Sequence, residues 1–139
     1  MKTFNYHVAK DSKEASKLSS SSSAFLAGGM TSVPSMKLGL ATYKDIIDIK
    51  HIKKLSGIKV SGKSVTIGST TKHVEVANSK DVQKAIPSLA KLAGGIGDAQ
   101  VRNRGTVGGS IANNDPSACY PSACMALNAI IHTNDRKIE

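Results

Sequence analysis

The sequence predicts a mixed α+β fold. Short β-type segments and capped helical stretches are interleaved along the chain instead of being grouped by type. The order shows no regular βαβ repeat, and no G-x-G-x-x-G follows the first strand, which argues against a doubly wound dinucleotide fold. A length of 139 residues with 40% hydrophobic and 21% charged side chains suits one domain with a real core.

Each element has a local reason. Phe4 to Val8 alternates like a strand. Asp11 with Glu14 three residues later has capping-box spacing and opens a short helix through Leu18. The five serines Ser19–Ser23 read as a flexible surface connection. Ala24-Phe25-Leu26 reads as a short buried strand, and Pro34 begins the helix after it, because proline suits a first helical turn. Asp45 to Ile49, with three isoleucines, predicts another strand.

Gly57 to Ser64 spells the phosphate-loop pattern G-x-x-x-x-G-K-S. That loop requires a strand before it and a helix directly after it. Here β-type segments, Ile58–Val60 and Val65–Ile67, flank Ser61–Ser64, which predicts a hairpin and sets nucleotide hydrolysis aside. From Ser79 the pattern becomes helical, with Asp81–Ile86 as one segment. Pro87 starts the next, whose Leu89, Leu92, Ala93 and Ile96 follow i, i+3, i+4, i+7 spacing until Gly94, Gly95 and Gly97 end it. Pro121–Ala129 predicts a last helix, and Ile130–Thr133 begins a strand.

Composition narrows the classes. The formal net charge of +9 is compatible with nucleic acid, an acidic partner or a solvated lysine surface, and the scattered lysines favour the last. The chain has no Trp and only 4% aromatic residues, which counts against a base-stacking surface. Cys119 and Cys124 make neither a disulfide framework nor a zinc site. Neither a membrane-spanning run nor a signal-peptide core is present, so the expected location is cytoplasmic.

The richest segment is Gly97 to Ser110, with four glycines and two arginines. Within it, Thr106-Val107-Gly108-Gly109-Ser110 predicts a turn whose consecutive N–H groups form an anion nest. A second glycine pair, Ala27-Gly28-Gly29-Met30-Thr31, lies between a strand and a helix start, a sound arrangement for phosphate. Two such nests in so small a domain predict a ligand with two linked phosphates held from both sides. No residue reads as a catalytic acid, base or nucleophile.

Several segments together closely resemble the FAD-binding (medium) subunits of the molybdenum hydroxylases, the group that includes aerobic carbon monoxide dehydrogenase and bacterial xanthine dehydrogenase. They are Leu26–Thr31 with Pro34, Met36-Lys37-Leu38, Ile67–Thr71 with His73, Ile96–Ser110, and Asn114-Asp115-Pro116 with Tyr120-Pro121. The resemblance implies FAD as cofactor and two small α/β subdomains, about 1–55 and 56–139, within a fold of the vanillyl-alcohol-oxidase type. It implies that family members continue for about as long again, so this chain looks like an N-terminal half. Both glycine loops would hold the FAD pyrophosphate, with hydroxyls from Thr31, Thr106 and Ser110, while Ile96 would lie against the flavin. Arg102 and Asn103 would either shape the site or bond loop carbonyls, and His73 would sit in a capped turn or approach the flavin. The implied partners are an iron–sulfur small subunit and a molybdenum-cofactor large subunit, with electrons passing through the clusters to FAD and on to an acceptor. A truncated domain acting only as a partner-binding remnant, or a basic nucleic-acid module, are the rival readings.

Two positions depart from the family pattern. Cys119 stands where an acidic residue usually contacts the cofactor, and a thiol cannot replace a carboxylate acceptor. Gly39 stands in place of a basic residue after Leu38, which is expected to loosen a helix turn by ~1 kcal/mol.

Overall fold

Three parallel strands organise the first third of the chain in the computed structural model, which describes residues 1–139. They are β1 (Asn5–Val8), β2 (Ser23–Leu26) and β3 (Asp45–Asp48), in the order β1-β3-β2. Parallel neighbours require crossovers, and α1 (Ser12–Leu18) and α2 (Ser32–Lys37) supply them. A βαβαβ unit is therefore present where the sequence predicted no regular repeat. Strands of four residues and helices of six or seven are too short to display their periods.

The central strand explains the run Asp-Ile-Ile-Asp. Ile46, Ile47 and Asp48 are all buried, as expected for a strand covered on both faces. Strand β2 corrects one expectation: it lies at the sheet edge, and Phe25 is 49% exposed. Asp11 caps α1 by accepting the Glu14 N–H at 2.9 Å, while the Glu14 carboxylate accepts the Lys10 N–H at 2.7 Å. Ala15 then packs with Ala9, Ile47 and Ile52 in a small core.

The serine run is more ordered than a free connection. Ser23 Oγ accepts the Ser20 N–H at 2.8 Å and donates to the Ser20 carbonyl at 3.0 Å, closing a turn that feeds β2. Helix α2 begins two residues before Pro34 and ends in a left-handed residue, Gly39, at φ 74°. The Gly39 N–H bonds the Met36 carbonyl at 3.1 Å and the Leu40 N–H bonds the Ser35 carbonyl at 2.8 Å. This pair of hydrogen bonds is a Schellman stop. Gly39 thus ends the helix instead of loosening a turn within it.

The rest of the chain is a helix-rich part that packs around the larger hydrophobic cluster. β4 (Ile58–Ser61) and β5 (Ser64–Ile67) form the antiparallel hairpin expected at the phosphate-loop pattern, with Gly62 at φ 57° in its turn. Then come α3 (His73–Asn78), α4 (Lys80–Ala85), α5 (Pro87–Gly94), α6 (Ala99–Arg104), α7 (Val107–Asn113) and α8 (Cys119–Ala126). A small hairpin of β6 (Ile131–His132) and β7 (Lys137–Ile138) follows. Val76, Val82, Leu89, Ala93, Val107 and Tyr120 belong to the larger core. Helices α3, α6 and α7 were not predicted, and α8 starts two residues before Pro121. No helix is long and apolar enough to cross a membrane.

Candidate phosphate-binding cleft

The carboxyl ends of β2 and β3 open on the same side, where ligands of parallel sheets commonly bind. The chain leaving β2 is Ala27-Gly28, and the chain leaving β3 reaches Lys50-His51. Both turns border a cleft of about 380 Å³. The helix-rich part contributes Thr70, Lys72, Glu75, Arg104 and Thr106 to its lining. The first glycine segment therefore meets the second at Arg104–Thr106, whereas the pair Gly108-Gly109 does not line the cleft. Gly28 packs on the second segment so closely that a Cβ would lie 2.1 Å from the Arg104 carbonyl oxygen and 2.9 Å from Gly105 Cα.

The two segments differ in what their amides can do. None of the N–H groups of Ala27, Gly28, Gly29, Met30 and Thr31 finds an acceptor within the chain. Gly29 adopts φ 74°, the left-handed conformation that lets this loop curl. In the second segment the expected nest is not formed. Val107 donates to the Thr71 carbonyl at 3.0 Å, Gly108 to the Ser69 carbonyl at 2.8 Å, and Ser110 to the Thr106 carbonyl at 3.0 Å. Gly109 donates to Thr106 Oγ1 at 3.2 Å. Thr106 is a helix cap, and the Thr-Val-Gly-Gly-Ser run is the first turn of α7 seated on residues 69–71. Gly108 serves that seating, because a Cβ there would lie 2.4 Å from Ser69 Cβ.

Positive charge surrounds the opening. Lys50, Lys72 and Arg104 line it, and Glu75 is the one carboxylate among the lining residues. Glu75 is already engaged, accepting the Lys72 N–H at 2.6 Å. Lys50 Nζ lies 2.8 Å from Oδ2 of Asp48, which is fully buried and also receives the Tyr6 hydroxyl. Burial alone would raise the Asp48 carboxyl. The bonds from Lys50 and Tyr6 outweigh it and hold the group below its usual range.

Thr70 supplies a further polar group. The residue is 6% exposed, lines the cleft, and its buried hydroxyl has no hydrogen-bond partner in the chain. Buried polar atoms of this kind are costly unless something pairs with them. Nearby, His73 Nδ1 and Tyr120 OH are also buried without partners, and their rings stack at 5.3 Å. Burial lowers the His73 pKa and raises that of Tyr120.

The remaining candidates lie elsewhere. Met30 and Thr31 are exposed on the first loop, and Thr31 makes no capping bond. Ile96 packs against the larger core. Cys119 is exposed at the start of α8 and does not line the cleft. Arg102 donates to the carbonyls of Ile96 and Gly97 at 3.1 Å each, and Asn103 to the Ala99 carbonyl at 2.7 Å, so both bond loop or helix carbonyls. His73 is the buried first residue of α3. Lys50, His51 and Lys72 carry no motif of their own, whereas Thr70 and Arg104 fall inside the segments Ile67–Thr71 and Ile96–Ser110 without reading as site residues there.

Residues 2–139 match the family model described as the FAD binding domain in molybdopterin dehydrogenase. The chain is 41% identical over 129 residues to the carbon monoxide dehydrogenase medium chain of Hydrogenophaga pseudoflava, covering 91% of this chain and 45% of that one. It is 31% identical over 128 residues to the xanthine dehydrogenase FAD-binding subunit of Escherichia coli O157:H7, covering 90% of this chain and 44% of that one. The solved carbon monoxide dehydrogenase of Hydrogenophaga pseudoflava superposes with a TM-score of 0.91 at 38% identity, over 97% of this chain and 49% of its counterpart. This chain thus spans about half the length of the relatives it matches. Sequence and fold agree, and the chain belongs to the family of FAD binding domains of molybdopterin dehydrogenases.

Proposed function

We propose that this cleft holds the diphosphate of FAD and that the chain is the flavin-binding part of a molybdenum hydroxylase's electron-transfer subunit. The observation that carries this reading is the run of amides from Ala27 to Thr31, all without acceptors in the chain, beside a cleft lined by Lys50, Lys72 and Arg104. Amides and cations suit two linked phosphates, and the unpartnered Thr70 hydroxyl offers one more donor. When bound, FAD supplies the redox chemistry, and the protein supplies position and charge.

In this reading Ala27, Gly28, Gly29, Met30 and Thr31 cradle phosphate oxygens. Thr106, at the cleft, and Val107, Gly108, Gly109 and Ser110 behind it form the supporting wall, because their amides are spent within the chain. Ile96 and Cys119 would contact the more distant parts of the cofactor. Two subdomains meet near residue 55, each with its own hydrophobic cluster. Electrons would arrive from an iron–sulfur subunit served by a molybdenum-cofactor subunit, and would leave to a further acceptor. The relatives' names, as medium chain and FAD-binding subunit, support a place in a multi-subunit complex.

Titration of FAD into the purified chain tests the proposal. Quenching of flavin fluorescence with a shifted visible spectrum is the expected result. Unquenched fluorescence and an unshifted spectrum at excess FAD, with the chain colourless once free FAD is removed, would refute it.

A further inference from the structure

Lys50 lies outside both glycine segments, yet it is the most firmly placed cation at the cleft. It follows β3 by two residues. Its Nζ is 2.8 Å from Asp48 Oδ2, and its own N–H bonds Asp48 Oδ1 at 2.9 Å. Tyr6, reaching across from β1, donates to the same carboxylate. The Asp48 side chain is 0% exposed and that of Lys50 45% exposed, so a buried anchor holds a partly exposed lysine at the cleft lining. Free lysines lose rotamer freedom when they grip an anion, but this one is already restrained.

The surroundings point to a ligand independently. Lys50 shares the cleft with Ala27 and Gly28, whose amides lack acceptors, and with Thr70, whose buried hydroxyl lacks one too. Asp48 neutralises one unit of charge beneath Lys50, while Lys72 and Arg104 have no carboxylate within salt-bridge distance. Counting Asp48 and Glu75 against Lys50, Lys72 and Arg104, one unit of positive charge remains in excess at the opening.

We propose that Lys50 is a phosphate-binding residue of this cleft, and that Asp48 and Tyr6 are its positioning residues. The proposal rests on the reading that the cleft takes a diphosphate, and it adds a charged contact beyond the glycine loops. Such a contact makes affinity fall as salt rises.

Removing Lys50 alone would leave Asp48 buried and unpaired, which is strongly destabilising. The test therefore uses Asp48→Asn/Lys50→Met, which deletes both charges and keeps an acceptor for Tyr6. Lys50→Arg serves as the rescue variant. Two probes, FAD followed by fluorescence and inorganic pyrophosphate followed by calorimetry, are titrated into the full chain at low and high salt. The double variant is expected to keep its circular dichroism spectrum and to bind both probes about tenfold more weakly at low salt, the size of a charged hydrogen bond. Its dependence on salt should be shallower, while Lys50→Arg should stay near the unmodified chain. Unchanged affinity in the double variant would overturn the Lys50 assignment and leave the flavin reading standing. If the unmodified chain takes pyrophosphate but not FAD, and the double variant loses pyrophosphate, the lysine assignment holds and the flavin reading fails. Binding of neither probe by the unmodified chain overturns both.

Discussion

The carbonyl oxygen of Arg104 fills the space beside Gly28 where a side chain would begin, 2.1 Å from an ideal Cβ. This contact joins the loop after β2 to the end of α6, and it brings residues from the two parts of the chain to one cleft.

Gly28→Ala should therefore fail for two reasons. Backbone must move on one side or the other, at a cost of about 1–3 kcal/mol typical of overpacking. The same displacement widens the contact that shapes the cleft. A urea titration should show the lower midpoint, and FAD titration should show weakened binding.

The paired glycines of α7 should behave unequally. At Gly108 a Cβ meets the Ser69 backbone oxygen at 2.7 Å as well as Ser69 Cβ, so Gly108→Ala should cost about 1–3 kcal/mol. At Gly109 a Cβ meets only the Thr106 hydroxyl, at 2.8 Å. The gain in helix propensity of about 1 kcal/mol offsets a disturbed cap of about the same size, so Gly109→Ala should be near neutral. Thermal melting of the two variants decides it. Equal stability would refute the seating of α7 on Ser69.

Thr70→Val separates a ligand contact from a structural one. An unpartnered buried hydroxyl replaced by a methyl group should leave the ligand-free chain as stable as before, or slightly more so. Affinity for FAD should nonetheless fall several-fold, by roughly the value of one hydrogen bond. Calorimetry on the variant reads both quantities, and full retention of affinity would mean that the hydroxyl meets no ligand.

Acid should destabilise the chain through His73. Burial holds its pKa below the ordinary 6.5, so the unfolded chain takes up a proton before the folded one does. Stability is fully present above 6.5 and is lost as pH falls from there through the lower, folded value. Urea midpoints measured from about pH 8 to about pH 5 should show the decline. His73→Phe, which keeps an aromatic ring against Tyr120, should flatten it.

How much of this was legible in the sequence depends on the length of the signal. The hairpin at Ser61–Ser64 was readable because alternating residues flanked a glycine turn. Helix α5 was readable because its apolar positions repeat over more than two turns, and Pro87 marks its start. The sequence expected the amides of both glycine pairs to converge; Gly28 instead meets Arg104 and Gly105, while the amides of Gly108 and Gly109 are spent inside the chain. What escaped were short elements whose identity is tertiary. Helix α7 reads as a loop until Ser69 and Thr71 are known to accept its first amides. Gly39 reads as a weak spot in a helix until its two capping bonds are seen. The cleft cations escaped for a similar reason: a lysine beyond a strand has no pattern until the strand's direction places it.

The lining of the cleft has one more implication. Lys50 and Gly28 come with the small core, whereas Thr70 and Thr106 come with the large one. A molecule lodged there touches residues beside both clusters and acts as mortar between them. Losing it should expose the chain to digestion at the joint, so cofactor depletion and protease sensitivity should rise together.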